Sequence, residues 1–338
     1  MPRPSIVATA PCRVDLAGGT LDIWPLYLFH PGAVTVNFAV NILATCTLTR
    51  LPGRRLEFVS RDTGREESFP SFDALCAARN FRHPLAAHLV RFFAPRGGLR
   101  LETHSESPAG AGISGSSALM IAATAALARL TGRKLSREAL RVIAQNVEAQ
   151  LIRVPTGCQD YYPALYGGVS AVHLAPDGIH REPLRVPPRE IDARFLLAYT
   201  GAPRQSGINN WEVFKAHLDG DRRVFRNFAE IARLAQAMHR ALAAADFNEV
   251  ALLLRAEWTL RKSNAPGITT PAIERLVRAA LRHGALAAKV CGAGGGGCVV
   301  FLVAPGAKAG VAQALRDNGG QVLPFRLARR GLTLREAG

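Results

Sequence analysis

The feature that most constrains this chain is Pro108-Ala-Gly-Ala-Gly-Ile-Ser-Gly-Ser-Ser-Ala-Leu119, three glycines among other small residues leading into an alanine-rich run. Before it, Leu99, Leu101 and Thr103 alternate with polar neighbours, the pattern of a half-buried strand. After it, Leu119, Ile121, Ala122, Ala125 and Leu127 recur at helical spacing. A strand that enters a glycine-rich turn and then a helix aims several backbone N–H groups into one concavity. The positive end of the helix dipole adds to them, so the arrangement suits phosphate.

Three phosphate chemistries can use such a turn. Gly110-x-Gly112-x-x-Gly115 satisfies the dinucleotide spacing, but that fingerprint needs an acidic residue ending the next strand, and Glu138 lies within a helical pattern. A Walker A loop needs a Gly-Lys-Ser/Thr end, and no lysine is present. The third uses Ser116 and Ser117, whose hydroxyls at a helix start could meet a phosphate-bound magnesium ion. A glycine-rich helix start with no ligand is the bland alternative.

Around this element the chain alternates strand-like and helix-like stretches. Residues 5–17 read as two strand pieces broken at Pro11, ending in Gly18-Gly19-Thr20-Leu21-Asp22. A carboxylate beyond a tight glycine turn can accept hydrogen bonds from a polyol, or can simply form the turn. Residues 33–49 and 55–60 are β-rich, and 62–82 reads as a surface loop. Ser136 can cap a helix carrying Leu140, Ile143, Ala144, Val147 and Leu151 on one face, with Glu148 beside it. Asp160, before Tyr166-Gly167-Gly168 and a strand, could be a general base, a metal ligand or a helix cap. The Pro-, Asp- and Gly-rich residues 174–190 read as a linker, dividing the chain into 1–188 and 189–338. Beyond it come a strand at 195–199, a polar loop from Thr200 to Asn210 and long helices at 221–245 and 247–262. Gly292–Gly297 repeats the GxGxxG spacing, but a strand follows it, so a dinucleotide site is not expected there.

The chain carries 42 Lys and Arg against 26 Asp and Glu, a net charge of +16. The basic residues are dispersed and not interleaved with aromatics, which argues against a nucleic-acid surface and leaves an anionic substrate or a solvated surface. The six cysteines show no CxxC pair or metal spacing and are expected as reduced core thiols. No apolar run approaches the roughly 20 residues of a membrane span. The expected setting is cytoplasmic, with no membrane partner.

Three stretches together carry a family resemblance. Pro11-x-Arg13-Val-x-Leu-x-Gly18-x-x-x-Asp22, Pro108-x-Gly-x-Gly-x-x-Gly-Ser-Ser-Ala118 and Lys289-x-x-Gly-Ala-Gly-Gly-Gly-Gly297 resemble, in order, the three motifs of the GHMP kinases. The resemblance implies an α+β, two-domain fold, with a ribosomal-protein-like N-terminal domain and a ferredoxin-like C-terminal domain. It implies ATP and Mg2+ as cofactors. Pro108, Gly110, Ala111, Gly112, Ser114, Gly115, Ser116 and Ser117 would hold the ATP phosphates, and Ser117 and Glu148 the magnesium ion. Asp160 would accept the proton of the substrate hydroxyl and Arg13 would stand beside it as a cation. Gly19, Thr20, Asp22, Gln159, Gly168, Gly294 and Gly295 would contact the substrate.

Within the family, Gln159-Asp160, Tyr166-Gly-Gly, Tyr199-Thr-Gly…Arg204 and Lys262 look most like the bacterial heptose-phosphate kinases, which phosphorylate the anomeric hydroxyl of a sugar phosphate. Arg204 and Lys262 are accordingly expected to clamp a distal phosphate. Two departures, Gly-Gly-Thr-Leu-Asp for the usual Gly-Gly-Gly-Thr-Asp and Tyr161 for a usual Gln, are expected to touch the sugar pocket. A galactokinase- or fucokinase-like kinase of a free sugar therefore stays open, as does a non-catalytic binding protein of the same fold. The expected partner is a small-molecule sugar or sugar phosphate, with no nucleic acid, and the chain could form a homodimer.

Overall fold

A computed structural model describes residues 4–203 and 208–337. The first strand, β1 (Ser5–Ala17), is continuous through Pro11 and pairs antiparallel with the long β2 (Val34–Leu51). The break expected at Pro11 is a register shift between Pro11 and Cys12. A residue without an N–H cannot complete the ladder, and a bulge absorbs it without ending the strand. Ala8, Ala10, Cys12, Val14 and Leu16 all point into the core, as period-two alternation requires.

β3 (Leu56–Ser60) pairs with β4 (Arg65–Phe69), and α1 (Phe72–Ala77) and α2 (Pro84–Phe93) follow. Residues 62–82 therefore hold a strand and a helix where a loop was expected. β4 is an edge strand with most of its side chains in water, so its polar composition imitates a loop. β5 (Gly98–Ser105) leads to α3 (Gly115–Leu130), which is buried along nearly all its length against β1 and β2. Its run of alanines lets a helix pack closely on the sheet. α4 (Arg137–Ile152) starts where Ser136 Oγ accepts a hydrogen bond from Ala139 N at 3.1 Å.

α5 (Tyr161–Tyr166) is followed by a hairpin of β6 (Val169–Ala175) and β7 (Gly178–Leu184), then α6 (Pro188–Arg194). The linker expected over 174–190 is thus mostly hairpin and helix; the Pro-Asp-Gly cluster is its turn. β8 (Phe195–Tyr199), α7 (Ile208–Leu218), α8 (Arg222–Ala243), α9 (Phe247–Asn264) and α10 (Pro271–Arg282) come next. The chain ends with β9 (Ala285–Val290), β10 (Cys298–Val303), α11 (Lys308–Asp317), β11 (Gln321–Leu323) and β12 (Thr333–Ala337).

These elements build two sheets. The larger has eight strands in the order β12-β1-β2-β5-β3-β4, with β6 and β7 joined to it through β2. The smaller is β11-β8-β10-β9, antiparallel throughout. The tail after β11 returns to the first sheet, where β12 covers the free edge of β1. On the way Gly168 N donates to Ala328 O at 2.7 Å. Among the described residues no helix is long and apolar enough to cross a membrane.

Candidate active site

The turn between β5 and α3 has the expected strand–turn–helix setting, with Gly110 and Gly112 at φ 67° and 75°. Ser114, at φ 63°, begins α3 without capping it, and its Oγ is buried with no hydrogen-bond partner. A helix start without a side-chain cap and an orphaned buried hydroxyl together leave donors available to an anion. Ser105, Ser107, Ala109, Gly110, Gly115 and Ser116 line the hollow in front of them. Gly297, just before β10 of the second sheet, packs on the backbone of the turn. A Cβ there would lie 2.7 Å from Ala111 O, the oxygen that accepts a hydrogen bond from Cys298 N at 2.7 Å.

Glu148 reaches from α4 to the first turn of α3. Its carboxylate accepts hydrogen bonds from Ser116 Oγ (2.8 Å), Ser117 Oγ (2.9 Å) and Tyr161 OH (2.6 Å). Burial pushes its pKa up, the three hydroxyls pull it down, Asp160 adds to the rise, and the net direction is upward. Among the described residues it has no ion-pair partner. Arg141, two turns earlier on α4, bonds Glu138 and Gln145.

Arg13, on β1, is buried and donates from Nε (2.9 Å) and Nη2 (2.7 Å) to Asp160 Oδ1. Its Nη1 donates to Gly112 O (2.8 Å) and Cys291 O (2.5 Å). One guanidinium thus joins the glycine turn, the end of β9 and the carboxylate. Burial opposes its charge, but Asp160 and Asp15 outweigh burial and hold it protonated. Asp160 occupies the cap position of α5 yet caps nothing, so the helix-cap explanation fails for this residue.

Asp160, Arg13, Ser116, Ser117 and Glu148 share one cavity with Gly19, Thr20, Asp22, Gln159, Asn210 and Arg261. Asp22 Oδ2 accepts a hydrogen bond from Gln159 N at 2.9 Å. Burial raises its pKa to about 6, with Asp160 and Asp15 adding to the rise. Position 157 must be glycine, because a Cβ there would fall 2.0 Å from Asp22 Oδ2. Thr20 sits at φ 77°, a conformation that costs a β-branched residue roughly 1–3 kcal/mol. Beneath Gly19 lies a buried quartet of charges. Lys289 Nζ is 2.7 Å from Asp15 Oδ2 and 3.2 Å from Glu257 Oε1, while Arg261 lies 3.3 Å from Glu257 and donates to Gly19 O at 2.8 Å.

A model described as the GHMP kinases N terminal domain matches residues 74–168, and one described as GHMP kinases C terminal matches 226–321, together more than half of the chain. The chain belongs to the GHMP kinases. It is an ATP-dependent kinase acting on a hydroxyl acceptor. It is 28% identical to the D-glycero-alpha-D-manno-heptose 7-phosphate kinase of Campylobacter jejuni, over 97% of this chain and 98% of that protein. In fold it is similar to a D-glycero-D-manno-heptose 1-phosphate kinase from Bacteroides thetaiotaomicron, with a TM-score of 0.77, 23% identity and coverage of 98% and 99%. It is also similar to the galactokinase of Lactococcus lactis solved with galactose, with a TM-score of 0.80, 18% identity and coverage of 97% and 95%.

Not every expected site residue of this GHMP kinase reaches the cavity. Gly294 and Gly295 pack on Ile268: Gly295 N donates to Ile268 O at 3.0 Å, and a Cβ on Gly294 would lie 2.3 Å from that oxygen. Their neighbours Gly292 and Ala293 line the cavity instead. Gly168 is engaged with the tail at Ala328. Lys262 pairs with Glu274 at 3.3 Å and lies over the Trp258 ring, whereas Arg261 faces the cavity. Successive helix residues diverge by about 100°, so the two cannot share a face. Arg204 lies outside the described residues. Tyr161, expected near the sugar, is fully buried under Glu148. Of the quartet, Asp15, Glu257 and Arg261 escaped sequence reasoning, and Lys289 entered it only as the first residue of the third motif, with no role given to its charge. The sequence signal was a charge between apolar neighbours in a strand, at Asp15 between Val14 and Leu16 and at Lys289 between Ala288 and Val290.

The residues present fit the family's cofactors. The uncapped start of α3 and the orphaned Ser114 hydroxyl suit a phosphate. The all-oxygen set of Ser116, Ser117 and Glu148, with no protein cation on the carboxylate, suits magnesium.

Proposed function

We propose that this kinase phosphorylates a sugar or sugar phosphate, and that its acceptor is the anomeric hydroxyl of a heptose 7-phosphate or a close analogue. The observation that carries the reading is Asp160, held by two bonds from Arg13, on the wall of a cavity otherwise rich in hydrogen-bonding groups. Asp22, Thr20, Gln159 and Asn210 offer a polyol both acceptors and donors. The likeness to the Campylobacter jejuni enzyme over nearly the whole of both chains supports the sugar phosphate.

In this reading the Gly110–Ser117 turn holds the ATP phosphates, and Ser116, Ser117 and Glu148 hold the magnesium ion. When bound, that ion neutralises charge on the phosphoryl group in transfer. Arg13 places its positive charge against Asp160 and, through two hydrogen bonds to one oxygen, fixes the direction of the carboxylate. Asp160 orients the acceptor hydroxyl and receives its proton as the new O–P bond forms and ADP leaves. Asp22 and Gln159 set the ring's position, so that one hydroxyl alone meets Asp160.

One observation favours a free-sugar kinase instead. Among the described residues, both cavity arginines already face carboxylates: Arg13 faces Asp160, and Arg261 faces Glu257 and Asp15. A distal phosphate would then depend on Arg204. The test is ADP release over a panel of free and phosphorylated hexoses and heptoses, repeated with Arg204→Ala. Preference for a sugar phosphate that Arg204→Ala abolishes supports the first reading. Turnover of free sugars alone, unchanged by that substitution, replaces it with the second.

A further inference from the structure

On the hairpin, away from the cavity lining, three side chains from three elements converge. His173 on β6 stands opposite His180 on β7, and Glu182, two residues further along β7 on the same face, lies diagonally from it. His239 comes from the last turns of α8. His173 Nε2 is 2.9 Å and His239 Nε2 3.2 Å from the same oxygen, Glu182 Oε2. All three donor atoms fall within 4.8 Å of one another, and the two rings stand at 82°.

We propose that His173, Glu182 and His239 form a second metal site, one that takes a zinc-class transition ion. Two imidazoles and one carboxylate are the donor set of open tetrahedral zinc sites, with the fourth position left to water. Metal–donor bonds of about 2.0–2.1 Å place tetrahedral donors about 3.3 Å apart. The two nitrogen–oxygen separations already lie within half an ångström of that. All three residues are partly exposed, so an ion can enter without opening the core. Imidazole donors select zinc, cobalt, nickel or copper over magnesium, so the site does not compete for the ion at Glu148.

The ion would fasten the β6–β7 hairpin, attached to the first sheet, to α8. That helix matters to the kinase cavity: Ala235, one turn before His239, is the side chain a Cβ on Gly18 would meet at 3.1 Å. Zinc at this site therefore braces the helix that backs the first glycine turn.

The test uses the full chain, stripped with a chelator and returned to buffer containing millimolar magnesium. Zinc binding is measured by competition with a chromophoric chelator, and cobalt by its visible absorption. One zinc per chain is expected, with affinity falling at least about tenfold in each of His173→Ala, Glu182→Gln and His239→Ala. His104→Ala, on the exposed side of β5, should bind as the wild type does. Zinc should also raise the melting temperature of the wild type and not of His239→Ala. Equal zinc affinity in the wild type and all three variants, or a cobalt spectrum lacking tetrahedral bands, would overturn the proposal. It would leave a carboxylate simply hydrogen-bonded by two imidazoles. Circular dichroism of each variant separates loss of the site from loss of the fold, and the kinase assay does not enter the readout.

Discussion

Lys289→Met should be among the most damaging single changes in this kinase, although Lys289 is not among the residues lining the cavity at Asp160. The lysine has no exposed surface, and its Nζ lies 2.7 Å from Asp15 and 3.2 Å from Glu257. Methionine keeps the length and packing of the stem but removes the charge. Among the described residues, the two buried carboxylates then keep Arg261 as their one ion-pair partner within 4 Å, at 3.3 Å and 3.8 Å. Asp15 Oδ1 and Glu257 Oε2 already lack hydrogen-bond partners, so no spare donor can take over. Removing one member of such a group costs about 3–5 kcal/mol, because the charge left behind stays buried. The assay is urea denaturation of the wild type, Lys289→Met and Lys289→Met with Asp15→Asn. The double variant should recover most of the loss, since it restores neutrality. There is also a pH signature. In the wild type, burial opposes the Asp15 carboxylate, but Lys289, Arg261 and Arg13 outweigh it and hold its pKa below the ordinary value. Its contribution is therefore complete above that ordinary value, and is lost only as pH falls through the lower folded one. In Lys289→Met the chief counter-charge is gone and burial pushes a carboxyl up, so the folded variant gains protons on mild acidification. The gap to wild type should narrow between pH 7 and pH 5. A loss below about 1 kcal/mol, or a double variant no better than the single one, would refute the account of the quartet.

Asp160→Asn should lower kcat by about two to four orders of magnitude with little change in the KM for ATP, since on the proposed reading it removes the proton acceptor and keeps the shape. Near wild-type turnover would remove Asp160 from the chemistry. Glu148→Gln should shift the magnesium dependence of activity to higher concentration, because it weakens the one charged ligand of the oxygen set; superimposable magnesium titrations would show that the carboxylate serves only α3. Asp22, whose pKa is raised to about 6, should lose its acceptor strength as pH falls through that value. The KM for the hydroxyl acceptor should then rise on acidification while that for ATP does not, and Asp22→Asn should flatten the profile; a profile equally steep in the variant would assign the titration elsewhere. The same raised pKa makes the ionised Asp22 a cost to folding above about pH 6, relieved as pH falls toward the unfolded value.

Local chemistry was readable in the sequence wherever it was written in neighbouring residues. Ser136 capped its helix, Gly110 and Gly112 turned the chain, and the period of Leu140, Ala144 and Val147 placed α4. Residues 62–82 and 174–190 misled because edge strands and hairpins bury one face or none, so their composition matches that of a loop. The glycines of the third motif were harder still. Gly294 and Gly297 are small because backbone from Ile268 and Ala111 occupies the place of a Cβ, and nothing local announces a distant carbonyl. The choice between Arg261 and Lys262 is of the same kind. Adjacent cations in a helix are equivalent in composition and opposed in space, and only the position of Gly19 decides which one faces the cavity.

That dependence explains why the three glycine-rich stretches make sense together and are ambiguous apart. Each alone fits a dinucleotide spacing or a plain turn. Arg13 from the first stretch donates to Gly112 O in the second and to Cys291 O at the entrance of the third, while its other two nitrogens hold Asp160. A planar guanidinium can satisfy all of these only if the acceptors lie in a fixed fan around it, so the motifs must be brought to one point before the carboxylate is oriented. Gly297 against Ala111 and Lys289 against Asp15 make the same join from either side. The catalytic geometry is therefore a property of the contact between the two sheets, and whatever loosens that contact should reach Asp160 through Arg13.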